Sequence, residues 1–213
     1  MIYITIGSTL LGLLVSLPIV IYINIYTKKN SLLATTTRLS YDILFGIPSI
    51  VYGAFGFVIM VYFGLKTSLL AGIVTVTLLI IPILVRAIDE VVRVVPEDMS
   101  NAVYSLGGTR YETAKIILRQ SIPGIVTAIL LSFGRAIGDA ACVLFTAGFT
   151  DSIPTSLDQP AATLPLSIFF QLSSPIVEVQ NRAYAAAVVL TIIVLIISIS
   201  AKIISKNLSK NKI

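Results

Sequence analysis

The first twenty-seven residues carry no charged side chain, and neither do residues 43–65 or 67–85. Runs of that length constrain a chain severely. A helix that crosses a bilayer needs about 20 mainly apolar residues, and each of these runs is close to or above that length. Two more apolar stretches follow, 123–148, which is interrupted by Arg135 and Asp139, and 183–201. The reading is an all-α polytopic bundle of five spans. They are residues 2–26 with Pro18 as a kink, 43–65, 67–85 ending at Arg86, 123–148, and 183–201. The first Arg or Lys on either side of the last span is Arg182 and Lys202. Composition agrees: 56% of the 213 residues are hydrophobic and 12% are charged, half the share usual in a soluble domain, about 25%. Gly46, Pro48, Gly53 and Gly56 within the second span point to close helix packing.

Charge then orients the bundle. Lys28, Lys29, Arg38, Arg86, Arg93, Arg110, Lys115, Arg119, Lys202, Lys206, Lys210 and Lys212 all fall on one side of a five-span arrangement. Lys66 and Arg182 alone fall on the other. Basic loops stay in the cytoplasm, so the expectation is a multi-pass protein of the cytoplasmic membrane, its C-terminus inside and Met1 outside. A start at the outer surface is unusual. The reading favours a further first span lost by truncation or a misplaced start, with a naturally short subunit as the alternative. The net charge of +5 is thereby explained by orientation among lipids, with no nucleic-acid partner.

Some chemistry is excluded. The chain has no His and a single cysteine, Cys142, so an intrachain disulfide and imidazole-based metal or acid–base sites are ruled out. No phosphate loop of the G-x-x-x-x-G-K-[ST] type is present, so no ATP hydrolysis is expected of this chain. No metal site and no bound cofactor are expected. Serines and threonines are plentiful but lack a His base.

Two segments remain as candidate functional regions. Residues 87–121 form the largest polar stretch on the basic side. Pro96 ends one helix, Glu97 and Asp98 favour the start of the next, and a helix over about 98–106 should stop at a glycine cap on Gly107-Gly108. A second helix over 109–120 leads to Pro123, a natural first residue for the fourth span. Ala102, Val103, Tyr104 and Leu106 suit a groove on another protein, and a plain connecting loop is the alternative. The second region is the pair Arg135 and Asp139, one turn apart inside the fourth span. A central arginine costs about 2.5–3.5 kcal/mol on insertion scales, so Arg135 must face the bundle, a partner or water. Its guanidinium matches oxyanions, with Asp139 holding it in place and Arg86 as a further candidate along an anion route. A structural ion pair is the alternative for Arg135 and Asp139, and a membrane-anchor role for Arg86. Gly134 and Gly138 suit close helix approach. On the other side, residues 149–182 form a long loop, with a short interfacial or re-entrant helix at 164–170.

The stretch Asn101-Ala102-Val103-x-x-x-Gly107, ending Ser121-Ile122-Pro123, resembles the E-A-A-x-x-x-G … I-x-L-P cytoplasmic loop of permeases from binding-protein-dependent ABC importers. Asn101 stands in place of the glutamate and Val103 in place of the second alanine. Residues 47–53, 82–86, 134–139, 145–148 and 160–165 are similar to the PstA-type permeases of phosphate importers, which commonly carry Glu where this chain has Asp139. The resemblance runs over nearly the whole chain as a single permease domain, 1–213, and the family's usual six spans leave the first one missing here. It implies that Asn101, Ala102, Val103, Leu106, Gly107 and Gly108 dock on a cytoplasmic ATPase. It further implies a second, PstC-like permease, two ATPase subunits that bind ATP and magnesium, and an extracytoplasmic phosphate-binding protein. Alternatives at this point are a permease for molybdate or sulfate, and a non-transporting membrane scaffold or signalling subunit.

Overall fold

The computed structural model describes residues 1–28 and 31–210, with side chains through Ile204, so Lys29, Lys206, Lys210 and Lys212 fall outside the described side chains. Eight α-helices follow one another among the described residues: α1 Ile2–Ile21, α2 Leu32–Gly46, α3 Ser49–Tyr62, α4 Leu69–Arg93, α5 Glu97–Ser105, α6 Arg110–Gly138, α7 Leu164–Leu172 and α8 Val177–Lys210. Side-chain caps open several of them. Ser31, Ser68 and Thr163 each accept the backbone N–H three residues on, at the starts of α2, α4 and α7. Thr109 and Glu112 form a reciprocal capping box before α6, which satisfies two of the orphan N–H groups. Downstream of Pro18, α1 loosens into a π-helical turn, Tyr22–Tyr26.

At the centre stands α4, in contact with α1, α2, α3 and α6. Small residues on α1 make its close approach possible. Thr5, Ser8, Gly12 and Ser16 are buried along one stripe, and a Cβ on Gly12 would already press on Leu84 and Ile80. The Ser16 hydroxyl reaches over to donate to the Ile81 carbonyl at 3.4 Å. Ile80, Leu84 and Ile88 of α4 are fully buried in the resulting core. By contrast, α8 leans on α6 and α7 and leaves Val188, Ile192, Leu195 and Ile199 exposed, as suits a helix bordered by lipid or another subunit.

Four helices, α1 with its π turn, α4, α6 and α8, are long and apolar enough to cross a membrane, and a fifth crossing exists only if α2 and α3 count as one. That is a correction to the continuous second span at 43–65. The chain bends by 100° between α2 and α3, at Ile47-Pro48. Proline removes a backbone donor and disfavours a helical conformation in the residue before it; Ile47 is accordingly extended. The third span runs beyond Arg86 to Arg93. The fourth does not start at Pro123. Its helix begins at the Thr109 cap, absorbs the expected 109–120 helix, passes through Pro123 and stops at Gly138. Residues 139–148 are therefore not helical. The short helix expected at 164–170 is present as α7, and α8 extends the expected 183–201 span at both ends.

Each end of the bundle is tied down differently. At one end, residues 139–163 fold back over the start of α4. The N–H groups of Ser68, Leu69 and Leu70 donate to the carbonyls of Thr146, Gln159 and Leu157, at 2.7–3.0 Å, so helix-end donors that α4 cannot satisfy internally are paired. The amino group of Met1 donates to the Ala162 carbonyl at the same end. At the opposite end lie the π turn, the finish of α4, α5 and the start of α6, where Arg110 donates to the Tyr26 carbonyl. The described basic residues Lys28, Arg38, Arg93, Arg110 and Lys115 gather there, as the charge pattern requires.

Close approach of α3 to the 139–148 segment depends on Gly53. A Cβ there would lie 2.7 and 2.9 Å from the carbonyl oxygens of Ala141 and Cys142, which are backbone and cannot swing aside, whereas a Cβ on Gly138 would meet nothing within 4 Å. Gly134 has only an ordinary contact with Ile197 and a Cβ on Gly46 would meet nothing within 4 Å, so the close approach expected at Gly46, Gly134 and Gly138 is not found, whereas the close packing expected at Gly53 and Gly56 is, Gly56 packing on Thr75. Gly53→Ala should therefore destabilise the detergent-solubilised protein by about 1–3 kcal/mol through overpacking, and Gly138→Ala should leave it within about 0.5 kcal/mol. Thermal unfolding of the two variants side by side checks the difference.

Candidate functional sites: the coupling helix, Arg135 and a buried polar cluster

Beyond Arg93 the chain turns at Pro96 and enters α5, none of whose residues is buried. A nine-residue helix with no buried face is too short to be stable alone in water, so its ends must hold it. Its C-terminus is closed by a double hydrogen bond. Gly108 N–H donates to the Val103 carbonyl at 2.9 Å and Gly107 N–H to the Tyr104 carbonyl at 3.0 Å. This is the Schellman arrangement, and it bears out the glycine cap read from the sequence. Gly107 adopts φ +80°, and a Cβ on Gly108 would lie 2.9 Å from the Val103 oxygen; only glycine fits both positions without strain. The cap also throws Leu106 outward. It is 89% exposed, beside Tyr104 at 45%, while Asn101 and Ala102 are exposed and Val103 is half-buried. The candidate coupling residues thus present apolar surface that no described residue covers.

Arg135 sits in the last turn of α6, not at its middle, and the helix ends before Asp139. The expected ion pair is not made: among the described residues no salt bridge or hydrogen bond joins Arg135 to Asp139. Instead the Asp139 carboxylate turns back and accepts the Cys142 N–H at 2.9 Å, fixing the turn that leads into residues 140–148. Cys142 itself is buried, its thiol directed at the Thr75 carbonyl. Arg135 is left exposed on the chain. Arg86 lies apart from both. Its guanidinium faces Asp42 at 3.4 Å and Glu90 at 3.5 Å, and stacks 4.8 Å above the ring of Phe45. Two carboxylates already neutralise it, which leaves less field for a passing anion.

A polar cluster that the sequence reading missed lies between these regions. Asp89 is 2% exposed on α4 and accepts from three side chains at once. Asn24 of the π turn donates to Oδ1 at 2.6 Å, while Arg38 Nε and the Tyr41 hydroxyl of α2 donate to Oδ2 at 3.1 and 2.7 Å. Arg38 also donates to the Asn24 side-chain oxygen at 3.1 Å, so the guanidinium and both carboxylate oxygens are satisfied together. A cavity of about 380 Å³ borders the cluster, lined in part by Asn24, Arg38, Arg93, Asn101, Tyr104 and Thr113. It lies between the cluster and α5. The available signal was Asn24 within an otherwise apolar run and Asp89 one turn past Arg86. Ending the third span at Arg86 leaves Asp89 in the polar stretch 87–121, outside the span, and counts Arg38 only as an orienting charge.

Comparison with known proteins places this architecture. Residues 6–212 match the family described as the binding-protein-dependent transport system inner membrane component. The phosphate transport system permease protein PstA of Yersinia pestis is 36% identical over 198 residues, which is 92% of this chain and 67% of that protein. PstA of Pasteurella multocida is 34% identical over 212 residues, 96% of this chain and 76% of that protein. The chain spans about two thirds of the length of such relatives. Among solved structures, a chain from an inward-facing form of the MetNI methionine ABC transporter superposes with a TM-score of 0.76 at 21% identity, over 96% of this chain and 90% of that one. That likeness concerns the fold. With α5 capped and projecting from the basic end of a spanning bundle, and the match running nearly end to end, the chain belongs to the family of inner-membrane components of binding-protein-dependent transport systems, which are transport subunits and not enzymes.

Proposed function

We propose that this chain is a permease subunit of an ATP-driven phosphate importer. In this reading it forms half of the translocation pathway beside a related, PstC-like permease. Two ATPase subunits carry ATP and magnesium in the cytoplasm, and an extracytoplasmic phosphate-binding protein docks on the end formed by residues 149–176. The observation that carries the reading is Arg135. It is a guanidinium with no ionic partner among the described residues, on a helix apolar enough to cross the membrane. From the last turn of α6 it can reach interfacial water, and turning it towards hydrocarbon is expensive, so it faces water or the second permease. The sequence likeness to phosphate permeases supplies the substrate class.

Each part has a physical task. Arg135 offers a planar fork of donors to a tetrahedral oxyanion. A single guanidinium, open on one side to water, binds weakly enough for release. Asp139 shapes the turn after α6 and so sets where that fork lies. Arg86, already matched by Asp42 and Glu90, contributes at most a background potential. At the basic end, α5 with Leu106 and Tyr104 inserts into a cleft of an ATPase subunit, and closure of the two ATPases is passed to α4 and α6, between which α5 hangs. The C-terminus and the basic end face the cytoplasm.

Arg135→Gln keeps a hydrogen-bonding side chain but removes the charge. Phosphate uptake by the reconstituted complex should fall about tenfold or more, the scale of a lost charge-assisted contact, while the subunits still co-purify. Unchanged uptake removes the role assigned to Arg135. Competition of labelled phosphate uptake by molybdate and sulfate separates the oxyanions: excess unlabelled phosphate should suppress it and the other two should not. On the coupling side, Leu106→Asp places a carboxylate where an apolar anchor docks. Co-purification of the ATPase with the permease should drop about tenfold, as for loss of a buried interface anchor, with the permease itself still folded by circular dichroism.

A further inference from the structure

We infer that the cluster of Asn24, Arg38, Tyr41 and Asp89 is the joint through which displacement of α5 reaches the end of α6 that carries Arg135. The inference rests on the permease reading and adds the residues that connect its two ends. Four observations support it. First, α5 is joined to the bundle by its ends, through Pro96 to α4 and through Gly107-Gly108 to α6, with none of its own residues buried. The cavity of about 380 Å³ between it and the cluster leaves it room to shift. Second, α4 is the element that responds to such a shift, and two turns before α5 it is gripped by Asp89. The partners of that carboxylate come from two further elements: Asn24 from the π turn, Arg38 and Tyr41 from α2.

Third, α2 is joined to α3 across their bend. The Tyr52 hydroxyl of α3 donates back across the 100° bend to the Leu44 carbonyl of α2 at 2.8 Å, a direct link between the two helices. Fourth, α3 bears directly on the backbone of residues 141–142 through Gly53. The same turn is bound to Asp139 by the Cys142 N–H, four residues from Arg135. A contiguous chain of hydrogen bonds and backbone contact thus runs from α4 at the root of α5 through Asp89, α2 and α3 to the end of α6. Contiguity alone does not establish coupling, so the readout must be coupling itself.

Tyr41 and Asp89 are positioning residues here, since they act through the hydrogen bonds that join α2, α4 and the π turn. The test uses the complete transporter in proteoliposomes, with phosphate uptake and ATP hydrolysis measured on the same preparation. Tyr41→Phe removes one hydrogen bond and no charge, and Asp89→Asn removes the charge that holds Arg38. Each assembled variant should continue to hydrolyse ATP while phosphate moved per ATP falls about fivefold or more, the lower end of a typical coupling factor. Wild-type uptake per ATP in an assembled variant overturns the inference. So does a parallel loss of uptake and hydrolysis, which is what a merely structural role produces. Should Asp89→Asn fail to assemble, Tyr41→Phe decides by the same ratio. A wild-type complex that hydrolyses ATP but takes up no phosphate contradicts the permease reading instead, which keeps the two failures apart.

Discussion

Hydrocarbon solvates no charge, so a charged side chain on a spanning helix must find a partner in the protein or be reached by water. This chain meets that constraint in two opposite ways, and the division organises the molecule. Asp89 is satisfied from within, by three donors that converge on one carboxylate. Arg135 is not, and its side chain remains open at the end of α6. Pairing the first fixes α2, α4 and the π turn after α1 to one another. Leaving the second open requires water or another subunit beside it. A buried, fully bonded charge network is a poor source of net stability; its value here is that it holds three elements in one relative placement at the end from which α5 projects.

The two opposed ends divide the labour. Residues 139–163 close over the start of α4 by backbone hydrogen bonds, a rigid arrangement suited to shaping a pathway. At the basic end, α5 stands free of the core and is stabilised by its caps. Elements that move are drawn from the less buried parts of a fold, and a partner that grips Leu106 and Tyr104 has a lever on α4 and α6 together. A methionine transporter chain shares this fold at 21% identity, so the scaffold tolerates wide change in sequence.

Much of this was legible in the sequence because hydrocarbon imposes its requirement locally. The apolar runs marked out α1, α4, α6 and α8, and Gly107-Gly108 marked the cap of α5, since a left-handed turn needs glycine within a few residues of the helix it ends. Charge counting placed the basic segments at one end. The break at Ile47-Pro48 was written in the sequence too, but the absence of charge over 43–65 outweighed it. Pro123 misled in the other direction: read as a helix start, it lies inside a helix already begun by the Thr109 capping box. That shift moved Arg135 from the middle of its helix to the last turn and separated it from Asp139. The Asp89 cluster was illegible for a different reason. Its partners lie 65, 51 and 48 residues away, and nothing in local pattern says which distant donors will converge on a carboxylate.

The central claim is that position 135 opens onto water within an assembled transporter. Thiol labelling tests it directly. In a Cys142→Ser background the chain has no other thiol, and Arg135→Cys then reports its own surroundings to a small charged methanethiosulfonate reagent, which the ionised thiol attacks with loss of sulfinate and which does not enter hydrocarbon. The account predicts labelling of the complete complex in membranes, at a rate that changes when ATP is trapped on the ATPases. A thiol at 135 that stays unlabelled in every nucleotide state, while one at exposed Leu106 reacts in the same membranes after permeabilisation, would contradict it.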